Sequence, residues 1–156
     1  MMDGTLAAAL EREHHEIDRG IETFLSRRAD EAFSVQSLTD ALEALRRHIY
    51  LEEELVFPAL RDAGMVAPVF VMLREHGEMW RTLDELEAEL SADRTGPASA
   101  LCTELVSQLE AHNAKEETIL YSQADAVLPA TTSADLRVFL DSGQTPEGWR
   151  CQRARS

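Results

Sequence analysis

The sequence predicts an all-α protein: an up-down four-helix bundle with a short fifth C-terminal helix. Three observations predict it. Only 7 Gly and 5 Pro occur in 156 residues, and they cluster at a few points, as in a chain of long helices joined by short connections. Four long stretches carry apolar residues at alternating steps of three and four, the stripe one helix presents to others in a bundle. No stretch alternates with the two-residue period of a strand. A chain of this length makes about one domain and buries roughly two-thirds of its unfolded surface, so it needs no metal or disulfide merely to fold. The expected division is a bundle over residues 1–128 and a short helix and tail over 129–156.

Asp3 can cap a first helix of residues 4–28. Ser34 or Ser37 can open a second, which runs to Asp62, where Ala63-Gly64 supplies the stop. Pro68 suits the first turn of a third helix reaching Ala92, and Asp93-Arg94-Thr95-Gly96-Pro97 breaks the chain and restarts it. The fourth helix reaches Asp125 and ends at Pro129. Thr132 or Ser133 can cap the fifth, which runs to Leu140, and the tail from Gly143 has no period, with Trp149 as the residue able to pin it.

The four stripes read Leu10, His14, Ile17, Ile21, Phe24; then Leu38, Ala41, Leu45, His48, Glu52, Leu55, Ala59; then Val69, Met72, His76, Met79, Leu83, Leu86, Leu90; then Cys102, Leu105, Leu109, His112, Glu116, Ile119. Each is interrupted by ionisable residues. His14, His48, Glu52, His76, His112 and Glu116 thus face what would otherwise be an apolar interior. A buried carboxylate costs several kcal/mol unless something pairs with it, and neutral imidazoles carry no charge to do so. Cations lodged among the six are the expected remedy.

The spacing repeats. His48 to Glu52 and His112 to Glu116 are both four apart, one turn on the same helix face, and each of these helices follows one with a lone stripe histidine. The lone histidines lie 62 residues apart and the motif histidines 64, so a pseudo-twofold site is expected. Four imidazoles and two carboxylates that bridge two ions supply four bonds to each ion. Iron or manganese prefers five or six, which leaves room for an oxo or hydroxo bridge and an open position. A single zinc would need only four ligands and fits less well.

Other polar residues have plainer readings. His15 falls on a solvated face with Glu11, Asp18 and Glu22; Glu53, Glu54 and Glu117 read as exposed charges; Tyr50 and Tyr121 read as packing residues with a hydrogen-bonded hydroxyl. Met72, Met79 and Leu83 read as core filling that lines the metal pocket. Cys102 reads as an inert buried thiol, and Cys102 and Cys151 form no disulfide framework.

At this point the residues resemble a known family, the hemerythrin-like HHE cation-binding domains, over residues 6–128. The resemblance rests on Glu13-His14-His15-Glu16-Ile17, on His48 through Phe57-Pro58-Ala59-Leu60, on Glu75-His76, and on His112 through Leu120-Tyr121. It implies a non-haem di-iron centre with His14 and His48 on one iron, His76 and His112 on the other, and Glu52 and Glu116 bridging. It also implies a small diatomic or peroxide partner: dioxygen, nitric oxide or peroxide. Two departures from the oxygen-carrying members stand out. Met72 occupies the place of an extra histidine one turn before His76, and Glu116 replaces an aspartate one residue further along. A sensor or scavenger is therefore expected, not a reversible carrier. The alternatives are an enzyme with catalase-like, peroxidase-like or ferroxidase turnover, and a metal-free helical interaction module.

The net charge of −14 opposes binding to nucleic acid or anionic membranes. No stretch approaches the roughly 20 apolar residues of a membrane span. Met1 to Arg12 lacks both the basic and the long apolar part of a secretory signal, so a cytoplasmic protein is expected.

Overall fold

A computed structural model describes residues 4–26 and 31–155, without the side chains of residues 31–33. Four rods form the bundle. The first is α1 (Leu6–Ser26). The second joins α2 (Glu31–Leu51), a π-helical turn at Glu52–Val56, and α3 (Phe57–Asp62). The third is α4 (Val66–Ser91). The fourth joins α5 (Thr95–Lys115), a π-helical turn at Glu116–Leu120, and α6 (Tyr121–Val127). Helix α7 (Ala130–Ser142) follows, and a 3-10 turn at Gln152–Ala154 lies near the end. Among the described residues there is no strand, and no helix is long and apolar enough to cross a membrane.

The ends follow from local chemistry. Asp3 lies outside the described residues. The first free N–H groups of α1 are met instead by Asp125, whose two oxygens accept from Leu6 and Ala7 at 2.9 and 3.2 Å, and by the Thr5 hydroxyl, which accepts from Ala8 at 3.0 Å. The second rod begins at Glu31, ahead of Ser34 and Ser37, so neither serine is its cap. It ends as expected at Gly64, which takes φ 105° while Met65 N–H donates to Leu60 and Gly64 N–H to Arg61. Pro68 and Pro97 each stand third in their helices, where a missing N–H costs nothing. Helix α7 starts two residues before Thr132, with Pro129 in the capping position.

The π turns correct the sequence reading. Each inserts one extra residue per turn just after a stripe glutamate, so the buried face slips by one position. Leu55 and Ala59 are only half buried and Ile119 is 44% exposed, while Val56, Phe57, Leu60, Leu120, Tyr121 and Ala124 are buried in their place.

The core is split in two by the His/Glu layer. On one side lie Ile17, Ile21, Leu45, Met79, Leu83 and Leu109 with their neighbours; on the other lie Leu6, Leu10, Val56, Phe57, Met72 and Tyr121 with theirs. The tail is pinned. Trp149 packs edge-on against Tyr50 and Trp80 at 5.0 and 5.6 Å and donates its indole N–H to Glu54, while Cys151 is fully buried. The strap presses so closely on α4 that a Cβ on Gly77 would lie 2.6 Å from that of Arg153.

Candidate metal centre

All six stripe residues converge in the middle of the bundle and are 3% exposed or less. They fall into two groups, His14, His48, Glu52, Glu116 and Glu52, His76, His112, Glu116, whose potential ligand atoms lie within 4.8 Å of one another in each. Both glutamates belong to both groups, one oxygen to each. Glu52 places Oε2 at 3.1 Å from His48 Nε2 and Oε1 at 3.0 Å from His76 Nε2. Glu116 places Oε1 at 3.1 Å from His14 Nε2 and Oε2 at 3.1 Å from His112 Nε2. The π turn that begins at each glutamate keeps the carboxylate on the same face as the histidine one turn earlier and swings an aromatic residue in behind it.

Around this layer stands a second ring of carboxylates that the sequence reading missed. His14 Nδ1 meets Glu117 at 2.8 Å, His48 Nδ1 meets Glu13 at 2.8 Å, His76 Nδ1 meets Glu53 at 2.8 Å, and His112 Nδ1 meets Glu75 at 2.9 Å. Glu53 and Glu117 are thus partners of the site and not free surface charges; Glu54 and His15 are exposed, as expected. The signal was present in the repeat: a glutamate precedes each lone histidine and another follows each motif glutamate. A carboxylate only accepts, so each Nδ1 carries a proton, and Nε2 of the neutral imidazole turns its lone pair inward.

That inward arrangement decides whether cations fit. His14 Nε2 and His48 Nε2 are 3.1 Å apart, two acceptors facing each other when both rings are neutral. Glu52 Oε1 and His76 Nε2 are buried without a hydrogen bond although 3.0 Å apart. Such spacings are unfavourable between bare lone pairs and suit donor atoms that share a cation at bonds of about 2.1 Å. Charge gives the same answer. Glu13, Glu52, Glu53, Glu75, Glu116 and Glu117 surround four imidazoles, and among the described residues only Arg47, on Glu13, and Lys115, on Glu75, pair with them as cations, which leaves a net negative charge for bound cations to offset.

Without cations the field holds protons. Burial opposes a charge on His112, but Glu116 and Glu75 outweigh it and push its pKa up to about 10; His48 and His76 shift the same way. The His112 hydrogen bond, with Lys115 beside it, holds Glu75 down to about 2. Burial and the charges of Glu116 and Glu52 push the Tyr121 hydroxyl well above its ordinary value.

The cavity among the six is small, about 10 Å³, roughly what one water molecule needs. Ile17, Leu45, Ile49, Met79, Leu109 and the amide of Asn113 wall it; Met72 and Leu83, expected to line it, lie in the flanking core instead. Cys102 is buried among apolar residues with its thiol pushed up to about 12, and Tyr50 faces Phe139 and Trp149 rather than the site.

Two predictions arise here. Glu75→Gln keeps the shape but loses the charge that fixes His112, and metal affinity should fall by about 10- to 100-fold; chelator competition measures this, and unchanged affinity would show that Glu75 does not tune the site. The second concerns the strap. Gln152 N–H donates to Glu53 Oε1 at 2.9 Å, so the tail holds the carboxylate that holds His76. Gln152→Pro removes only that donor, because Cys151 already has the φ −63°, ψ 155° that a following proline demands. Chelator-driven metal release should quicken by about 10-fold or less, since the lost contact lies one shell further out; identical release traces would detach the strap from the site.

A family model described as the hemerythrin HHE cation binding domain matches residues 5–124. The chain is 32% identical over 99 residues to the iron-sulfur cluster repair protein YtfE of Yersinia pestis (strain Pestoides F), and equally to that of Yersinia pseudotuberculosis serotype O:1b (strain IP 31758). Each match covers 56% of this chain and 44% of the relative, so the chain spans less than half the length of these curated relatives. No solved structure matches. With most of its length matched and both HxxxE helices carrying the layer just described, the chain belongs to the hemerythrin HHE cation-binding domain family.

Proposed function

We propose that this chain is a non-haem di-iron protein that binds or reacts with a small oxidant, dioxygen, peroxide or nitric oxide, as a sensor or scavenger and not as a reversible oxygen carrier. One observation carries the reading: Glu52 and Glu116 each divide their two oxygens between separate pairs of imidazoles. In this reading His14 and His48 hold one ion, His76 and His112 hold the other, and both carboxylates bridge. Four protein bonds per ion leave room for an oxo or hydroxo bridge and an exogenous ligand. Manganese would accept the same donors, but the relatives named for iron-sulfur cluster repair favour iron. Repair itself is a property of proteins more than twice the matched length.

Bound here, the metal pair supplies redox chemistry and open coordination. The rest falls to the chain. Apolar walls from α1, α2, α4 and α5 exclude bulk water, and the small cavity admits a diatomic molecule or peroxide more readily than an organic substrate. The four outer carboxylates fix each imidazole tautomer and raise its basicity, which favours the oxidised state of whatever ion it holds.

The test is elemental analysis of protein purified without added metal, followed by stopped-flow mixing of the ferrous form with dioxygen, peroxide and nitric oxide. Two irons per chain and a single stoichiometric spectral change support a sensor or scavenger. Sustained oxygen evolution from peroxide would make it a catalase-like enzyme instead, and a folded protein that takes up no metal would leave a helical interaction module.

A further inference from the structure

At the aromatic position behind each glutamate, the two halves of the site differ by one oxygen atom. Phe57 follows His48, and Tyr121 follows His112, at the same spacing, each as the first residue after a π turn. Their rings occupy equivalent places: Tyr121 stacks on His14 with centroids 5.4 Å apart and 30° between planes, and Phe57 stacks on His76 at 5.4 Å and 26°. Only Tyr121 brings a hydroxyl. That oxygen is fully buried, 2.9 Å from His48 Nε2, 3.1 Å from His14 Nε2, 3.1 Å from Glu116 Oε1, and in contact with Glu52 Oε2. These are the four atoms of the first group.

A packing tyrosine needs one acceptor for its single proton. This hydroxyl faces four and can donate to only one of them, so the remaining approaches need either protons on the imidazole nitrogens or one cation shared by all five atoms. A cation held among these imidazoles and carboxylates would take this fifth atom into its shell as well. We propose that Tyr121 is a ligand of the ion held by His14 and His48, which makes the two ions inequivalent.

Coordination exchanges the O–H bond for an O–metal bond and releases one proton to solvent, with no change in oxidation state. The first ion then has five protein ligands and the second four, so the exogenous ligand takes its open position on the His76 and His112 side, against the Phe57 ring. The inference rests on the two-ion reading above.

Iron is the probe. The full chain, loaded with ferrous iron and oxidised, should hold two irons and show a visible phenolate-to-ferric charge-transfer band with tyrosinate ring modes in resonance Raman spectra. The chain has 2 tyrosines, which makes assignment simple. Tyr50→Phe should keep the band, Tyr121→Phe should lose it while retaining two irons, and Phe57→Tyr should add a second such ligand. If Tyr121→Phe does not fold, ring-deuterated tyrosine in the Tyr50→Phe chain shifts the same Raman modes. Two bound irons with no phenolate band in the wild type overturn this inference and leave the two-ion reading standing; a chain that binds no iron overturns both.

Discussion

Glu116→Ala is expected to emerge with almost no bound metal, because it removes one ligand from each of the two groups at once. His112 and His14 each lose the oxygen 3.1 Å away. Loss of one such donor per ion takes the His76 and His112 ion from four protein bonds to three and, with Tyr121 counted, the His14 and His48 ion from five to four. One of the two links between the groups goes with it. Stability reports the same event. An ion present at about a thousandfold over its Kd adds about 4 kcal/mol to a protein that binds it only when folded. The wild type should therefore gain a large rise in unfolding midpoint on metal addition, and Glu116→Ala should gain almost none. His15→Ala, changed at an exposed neighbour of His14, is the control and should behave as wild type. Full metal content in Glu116→Ala would show that the carboxylate is not shared.

The second large effect is on pH. Metal uptake should release protons and weaken as pH falls, because His48, His76 and His112, which must offer Nε2, are held toward the protonated form in the metal-free protein. His112, raised from 6.5 to about 10, carries its proton at neutral pH. A group raised in this way contributes stability that is fully present below its ordinary pKa and is lost as pH climbs through the folded one. The metal-free protein should thus lose stability between pH 6.5 and about 10, while the loaded protein, whose imidazoles hold ions and not protons, should stay level across that window. On the acid side the sign reverses: Glu75, lowered from 4.5 to about 2, contributes stability present above 4.5 and lost as pH falls through 2. Denaturant midpoints at pH 6.5 and 9.5, with and without metal, measure the difference. A metal-free midpoint that does not move would show that these imidazoles hold no extra proton.

The bundle and its six central residues were legible in the sequence because helical periodicity makes an ionisable residue on an apolar stripe conspicuous. His48 and Glu52 stand on the same line as Leu45 and Leu38, and nothing but depth explains that company. The slip at each π turn was not legible by the same rule. A stripe extrapolated at fixed steps runs through Leu55 and Ile119, and only the wider turn moves burial to Val56 and Leu120. The outer carboxylates escaped for a related reason. Glu13 and Glu75 sit beside a stripe rather than on it, and each meets a histidine of the neighbouring rod. Intrahelical periodicity carries no information about that register. Tyr121 combines both difficulties, since it enters the interior only after the slip.

The strap makes the exposed segment Pro146–Gly148 a vulnerable place in the molecule. A protease that nicks the backbone there would leave every helix of the bundle intact, yet it would untether Trp149, bare the Cys151 sulfur and loosen the backbone grip on Glu53. Damage at the periphery would then register as leakage of ions from the interior. Preparations clipped in this segment should look whole by circular dichroism and still fade in colour.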